Sequence, residues 1–243
     1  MERRTRDRFF LGVNQGLPIG LGYLSVSFTF GIMAVSMGLP WWAALLISMT
    51  NLTSAGQVAG IVIIAAGGGY VELALSQLVI NLRYALMSLT LSQKLDASVT
   101  RGQRFLMAFG ITDEIFALAA SRDGRFGFGY FLGLLVLPYL GWASGTLLGA
   151  SAGALLPSIL TAVLGIAIYG MFLAILLPAA RAQKSVALVI LAAVIFSCMF
   201  HYIPLLSGIS EGMSIILCAV AASALGAWLF PVHTADGDKE EGI

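Results

Sequence analysis

Long apolar runs separated by short polar and charged breaks make up most of the chain. A helix needs about 20 apolar residues to cross the hydrocarbon core of a bilayer. On that ruler eight hydrophobic segments stand out, at about 16–38, 41–66, 70–92, 104–121, 127–152, 158–180, 185–203 and 211–230. The pattern predicts an all-α integral membrane protein, a helical bundle that fills residues 1–232 as a single transmembrane domain. Residues 233–243, which are polar and acidic, read as a disordered cytoplasmic tail.

Two segments carry breaks in their interior. The second contains Thr50-Asn51-Leu52-Thr53-Ser54, helix-capping chemistry inside an apolar run. The fourth is short and contains Gly110-Ile111-Thr112-Asp113-Glu114. The basic residues bear on the same point. Arg3, Arg4, Arg6 and Arg8 assign the N-terminus to the cytoplasm, as do Arg122 with Arg125 and Arg181 with Lys184 for two later loops. Strict alternation of eight spans would turn Lys94, Arg101 and Arg104 outward. If segments two and four do not fully cross, that conflict disappears. The expectation is therefore six full spans plus two broken or re-entrant segments, or else eight spans, with both termini cytoplasmic either way. A weak internal repeat is also legible. Leu17-Pro18 with Gly22, Gly31, Gly38 and Pro40 echoes Leu137-Pro138 with Gly141, Gly145, Gly149 and Pro157.

Composition supports the membrane assignment. Hydrophobic residues make up 59% and charged residues 10%, against about 25% charged in a soluble domain. The formal net charge of +1 points to neither nucleic acid nor an acidic partner. Cys198 and Cys218 lie inside apolar runs and read as small buried hydrophobes. His201 sits at a segment end and His233 in the tail, neither beside a metal-ligand neighbour. No cofactor or metal is predicted.

Polar groups inside a hydrocarbon layer are costly, so each is a candidate for function. At the break in segment two, Thr53 or Ser54 can cap a half-helix whose open N–H groups, around Ser54, Ala55, Gly56 and Gln57, would receive a carboxylate at membrane depth. The alternative is a continuous helix whose small residues admit a close neighbour. In segment three, Gln77, Asn81, Tyr84, Ser88 and Ser92 follow steps of four, three, four and four, which puts them on one helix face. Arg83 lies near the middle of that segment and needs a carboxylate or carbonyls as company. Asp113 and Glu114 are either ordinary first-turn acids of a helix capped by Thr112 or the intramembrane partners of Arg83.

At these clusters the chain resembles the AzlC family, the large subunit of two-component branched-chain amino acid exporters. The resemblance rests on Leu17-Pro18-Ile19 with Gly22-Tyr23, on Ser54 to Gln57, on Leu82-Arg83 before an aromatic residue, and above all on Ala108-Phe109-Gly110-Ile111-Thr112-Asp113-Glu114-Ile115-Phe116-Ala117. It holds from residue 16 to about 121. It implies a bacterial inner-membrane transporter of leucine, isoleucine, valine and close analogues such as methionine, with a small hydrophobic AzlD-type subunit as partner. The chain departs from the family pattern at Thr53–Val58 and at Tyr84, where relatives often carry histidine.

Combined with the polar clusters, this predicts a substrate site formed by Ser54, Ala55, Gly56, Gln57, Gln77, Asn81 and Tyr84, and a proton-coupling charge network of Arg83, Asp113 and Glu114. No catalytic residue is predicted: the chain has no HExxH, GxSG or GxGD motif. A channel, or a subunit whose partner holds the substrate, are the competing readings.

Overall fold

The computed structural model describes residues 2–152, 170, 173, 176–206 and 208–231. The predicted segment at 158–180 falls mostly, and the tail at 233–243 wholly, outside these residues. The described residues are helical apart from short connections and one isolated bridge between Leu95 and Phe126. They group into two compact units divided after residue 172. Five described helices are long and apolar enough to cross a bilayer.

The first unit opens with α1 (Glu2–Ser36), of which Asp7–Ser36 is the apolar span. It ends where Gly38 takes φ +91° and the Leu39 N–H reaches back to the Ala34 carbonyl, a left-handed stop that favours glycine. Next come α2 (Trp41–Thr50) and α3 (Ser54–Ala65), separated by the extended residues Asn51–Thr53. A second glycine stop, Gly67 at φ +70°, leads into the long α4 (Tyr70–Gln93). Then α5 (Arg101–Phe109) and α6 (Asp113–Ser121) repeat the broken pattern, and α7 (Phe128–Ala152) closes the unit.

The close packing of α1 against α7 sets the frame. A Cβ on Gly133 would lie 2.1 Å from the Phe9 carbonyl oxygen, one on Gly141 2.2 Å from that of Gly20, and one on Gly149 1.9 Å from that of Phe28. Contacts that rise together along both helices mean that α1 and α7 run parallel. Small residues let the two backbones touch, which is how membrane helices associate where burial in lipid supplies no drive. Gly141→Val is therefore expected to force the pair apart and cost about 1–3 kcal/mol or more, read as a lower melting temperature in detergent. An unchanged melting temperature would show that this contact does not hold the unit together.

Against this frame the direction of each half-helix can be read. Ala44 packs with Phe30, Ala34 and Ala150, Ser48 meets Thr146, and Leu52 packs with Tyr23 and Trp142. So α2 descends from the far end of α1 to its middle. Going the other way, Gly56 faces Gln77 and Asn81, Gly60 faces Leu73, and Gly68 faces Glu72, so α3 climbs back to the same end. From the opposite end, α5 begins beside Leu95 and reaches Leu135 at Gly110. Its partner α6 returns until the Lys94 ammonium donates to the Ala120 and Arg122 carbonyls. Arg8 pairs with Asp96 at 3.5 Å, and the Phe126 N–H donates to the Lys94 carbonyl, tying these connections to the start of α1.

Segments two and four are thus each a hairpin of two half-helices, entering the bundle from opposite ends. Lengths agree: 10 and 12 residues make about 15 and 18 Å, against roughly 30 Å of hydrocarbon. The connections at 94–100 and 122–127 lie at one end of the bundle, the arrangement of the first of the two alternatives that the charges left open. The echoing segments of the sequence are α1 and α7, side by side and parallel. The repeated order that the structure displays is a different one, a long helix followed by a threonine-capped hairpin, as α1–α2–α3 and again, inverted, as α4–α5–α6.

The second unit contains a helical stretch at 176–182, then α8 (Lys184–Tyr202), a 3-10 turn at Pro204–Leu206, and α9 (Glu211–Leu229), whose first turn is capped by Ser210. Gly226 approaches Val189, which makes α8 and α9 an antiparallel pair.

Candidate functional site

Both hairpin tips stop at the same level of α1, beside Tyr23. Leu52, in the first break, packs with Tyr23 and Trp142. Thr112, in the second, lies with its hydroxyl oxygen 2.7 Å from the Tyr23 hydroxyl, and Glu114 places a carboxylate oxygen at 2.5 Å from it. The Tyr23 and Trp142 rings meet edge to face at 5.1 Å. Local chemistry explains the tips. Thr53 accepts the Gly56 N–H and Thr112 accepts the Ile115 N–H, so each break ends in an N-cap and each returning half-helix begins at mid-membrane. Each therefore presents its positive dipole end inside the bundle.

Of the seven predicted substrate residues, six come together at the first tip, where Ser54, Ala55, Gly56 and Gln57 open α3 and Gln77 and Asn81 face them from α4. Gln77 donates to the Gly56 carbonyl at 2.8 Å and Asn81 donates to Gln77 at 3.2 Å. Gln57 is 1% exposed, and its amide is committed within the hairpin. It donates to the Asn51 carbonyl and accepts from Ser48, which itself bonds Thr146 at 2.7 Å. A cavity of about 190 Å³ opens here, with Asn51, Gly56, Gln57 and Gln77 on its polar side and Ile47 and Ile64 on its apolar side. Among the described hydrogen bonds none takes the N–H of Ser54 or Ala55, the donors that a helix start leaves over. The Asn81 Oδ1 atom is buried with no partner, and so is Trp142 Nε1.

The other predicted residues gather at the second tip. Arg83 Nη1 meets the two Asp113 oxygens at 2.8 and 3.0 Å, and its second amino group donates to the Tyr84 hydroxyl at 3.2 Å. Tyr84 therefore stands with the charge network and not with Gly56 and Gln77. The pair is only half covered, Arg83 being 42% and Asp113 34% exposed within this unit. Glu114 points instead to Tyr23, so the two adjacent acids serve different partners.

Trp142 is the site residue that sequence reasoning missed, and Tyr23 entered it only through the family resemblance, without a role. The available signal was that Tyr23 lies mid-span, where an aromatic hydroxyl is far from the interfacial belt that such residues favour. In the second unit His201, Glu211 and Cys218 line a separate cavity of about 650 Å³. No metal-ligating cluster occurs among the described residues.

Known proteins resemble this chain in sequence. The AzlC protein family matches residues 18–156, which takes in both hairpins and both tips. The chain belongs to the AzlC family. An uncharacterized membrane protein of Archaeoglobus fulgidus is 32% identical over 228 residues, covering 90% of this chain and 94% of the relative. The inner membrane protein YgaZ of Escherichia coli is 28% identical over 185 residues, covering 73% of this chain and 75% of its own length. An uncharacterized membrane protein of Helicobacter pylori is 26% identical over 140 residues, covering 56% of this chain and 60% of the relative. No solved structure matches the chain. Like these relatives, this AzlC protein is a membrane protein, and the family match contains every residue of the two polar clusters.

Proposed function

We propose that this AzlC protein is a secondary transporter, not an enzyme, that exports branched-chain amino acids and close analogues such as methionine, coupled to protons. The observation that carries the reading is the meeting of two oppositely directed, polar-tipped hairpins at mid-membrane. Alternating access requires a polar site at the midplane reachable from either side, and broken helices that supply backbone donors there are a recurring solution.

The proposed pose uses both poles of a zwitterion. The carboxylate takes the open N–H groups of Ser54 and Ala55, at the positive end of α3. The ammonium donates to Asn81 Oδ1, the acceptor that lacks a partner. The branched side chain lies on Ile47 and Ile64, gaining roughly 1.5–3 kcal/mol on burial. A term that small separates leucine, isoleucine, valine and methionine poorly, because one methylene changes affinity by only about 1–3 kcal/mol. Gly56, Gln57 and Gln77 shape the pocket, and Tyr84 steadies Arg83. Asp113 or Glu114 carries the proton.

A small hydrophobic AzlD-type subunit is the proposed partner. Within the first unit, Leu78, Leu82, Leu86 and Leu89 of α4 are 60–67% exposed around Arg83, a face suited to a further membrane helix. The proposed setting is the bacterial inner membrane with both termini cytoplasmic, in keeping with the Escherichia coli relative, an inner membrane protein, and with the N-terminal arginines.

The deciding experiment is radiolabelled leucine flux in proteoliposomes under an imposed pH gradient, with and without the small subunit. Saturable, gradient-driven movement that unlabelled valine inhibits is the expected result. Unsaturable flux would favour a channel, and absence of flux with both subunits present would end the proposal.

A further inference from the structure

Two cavities of the first unit lie outside both polar clusters, and the larger of them carries charge. At the end of the bundle where α1 begins, α5 stands away from α4 and leaves a slot of about 350 Å³. Its wall is almost wholly apolar, built by Leu91, Met107, Ala108 and Phe131, and Arg101 and Arg104 stand along it. These arginines are three residues apart on one helix, hence on one face. Both are exposed, and the salt bridges among the described residues involve neither.

Depth makes the combination informative. Arg101 begins α5 directly after the connection at 94–100, so it lies at the edge of the bundle. One turn further in, Phe105 is 80% and Leu106 60% exposed, side chains suited to lipid tails. The slot therefore pairs two unpartnered cations at headgroup level with an apolar recess beneath them. An apolar recess does not hold water well, and guanidinium groups favour phosphate oxygens. Basic pockets between membrane helices are a known form of lipid recognition.

We propose that this slot binds one anionic phospholipid, with an acyl chain between α4 and α5 and its phosphate on Arg101 and Arg104. The lipid braces α5, of which Met107 is the one buried residue. Since α5 leads directly into Gly110–Thr112, the bound lipid also steadies the second tip. This site is independent of which solute the protein carries.

The test uses the full chain in a neutral detergent, with phosphatidylglycerol or phosphatidylcholine of identical chains as probes. Phosphatidylglycerol is expected to raise the melting temperature by several degrees and phosphatidylcholine by much less. The R101Q/R104Q variant should lose the difference between the two lipids, while Ala108→Trp, which fills the slot, should lose the response to both. Native mass spectrometry should find one phosphatidylglycerol retained per wild-type chain and none on Ala108→Trp, a reading that stands even if the arginine variant folds poorly. Equal protection by both lipids in the wild type would overturn the proposal. So would a phosphatidylglycerol increment that survives in R101Q/R104Q, or equal protection by inorganic phosphate alone.

Discussion

Neutralising Asp113 alone is expected to harm the protein more than neutralising Arg83 and Asp113 together. In Asp113→Asn the guanidinium at the middle of α4 loses the carboxylate at 2.8 Å and keeps only the Tyr84 hydroxyl at 3.2 Å. An unpaired arginine at the centre of a membrane helix costs about 2.5–3.5 kcal/mol by insertion measurements. The pair is partly exposed within its unit, so a loss nearer the lower end is expected. The R83Q/D113N double variant removes both charges and should recover most of that loss. A double-mutant cycle on melting in detergent measures the coupling; additivity within error would mean that the contact contributes nothing to folding. The same variants test the mechanism. Gradient-driven leucine flux should disappear in Asp113→Asn while leucine exchange partly survives. Full gradient-driven transport by a folded Asp113→Asn, Glu114→Gln variant would remove both acids from the coupling role.

The second large effect separates two amides of the first tip that look alike in sequence. Asn81→Leu is expected to weaken leucine binding by about 1–3 kcal/mol, roughly 5- to 150-fold, while leaving the melting temperature unchanged or slightly raised. The reason is that Asn81 Oδ1 is buried without a partner, so its removal abolishes an unmet desolvation cost that offsets the lost 3.2 Å bond from Asn81 to Gln77. Gln57→Ala should do the reverse. It strands the Asn51 carbonyl and leaves the Ser48 hydroxyl with Thr146 alone, lowering stability by about 1–3 kcal/mol. Binding isotherms and melting curves on the two variants provide the comparison. Unchanged affinity in Asn81→Leu would move the ammonium pole of the site elsewhere.

Much of the site was legible residue by residue. Thr53 and Thr112 are capping residues inside apolar runs, and both cap half-helices. Arg83 called for a carboxylate or carbonyls because lipid offers no solvent for it; the sequence offered Asp113 and Glu114 alike, and Asp113 makes the contact. Other features were not legible. Tyr84 shares a helix face with Gln77 and Asn81, yet it turns to Arg83, because a charge in the membrane recruits any nearby hydroxyl. Asp113 and Glu114 are neighbours in sequence, but consecutive helical positions point about 100° apart, and the two go to Arg83 and Tyr23 respectively.

By itself the sequence determined the membrane setting, the long helices and the positions of both breaks, and it left open whether the connections at 94–100 and 122–127 share one side. What it determined follows from local quantities: hydropathy and capping chemistry. The tertiary structure decided that each broken segment folds back on itself. Half-helices of about 15 and 18 Å, laid end to end, would also span roughly 30 Å of hydrocarbon, so length cannot separate a kinked crossing from a hairpin. The choice lies in contacts between distant residues, such as Ser48 with Thr146 and Tyr23 with Thr112, 98 and 89 positions apart. Such contacts depend on the packing of α1 and α7 through their glycines, which sets the level at which both tips stop.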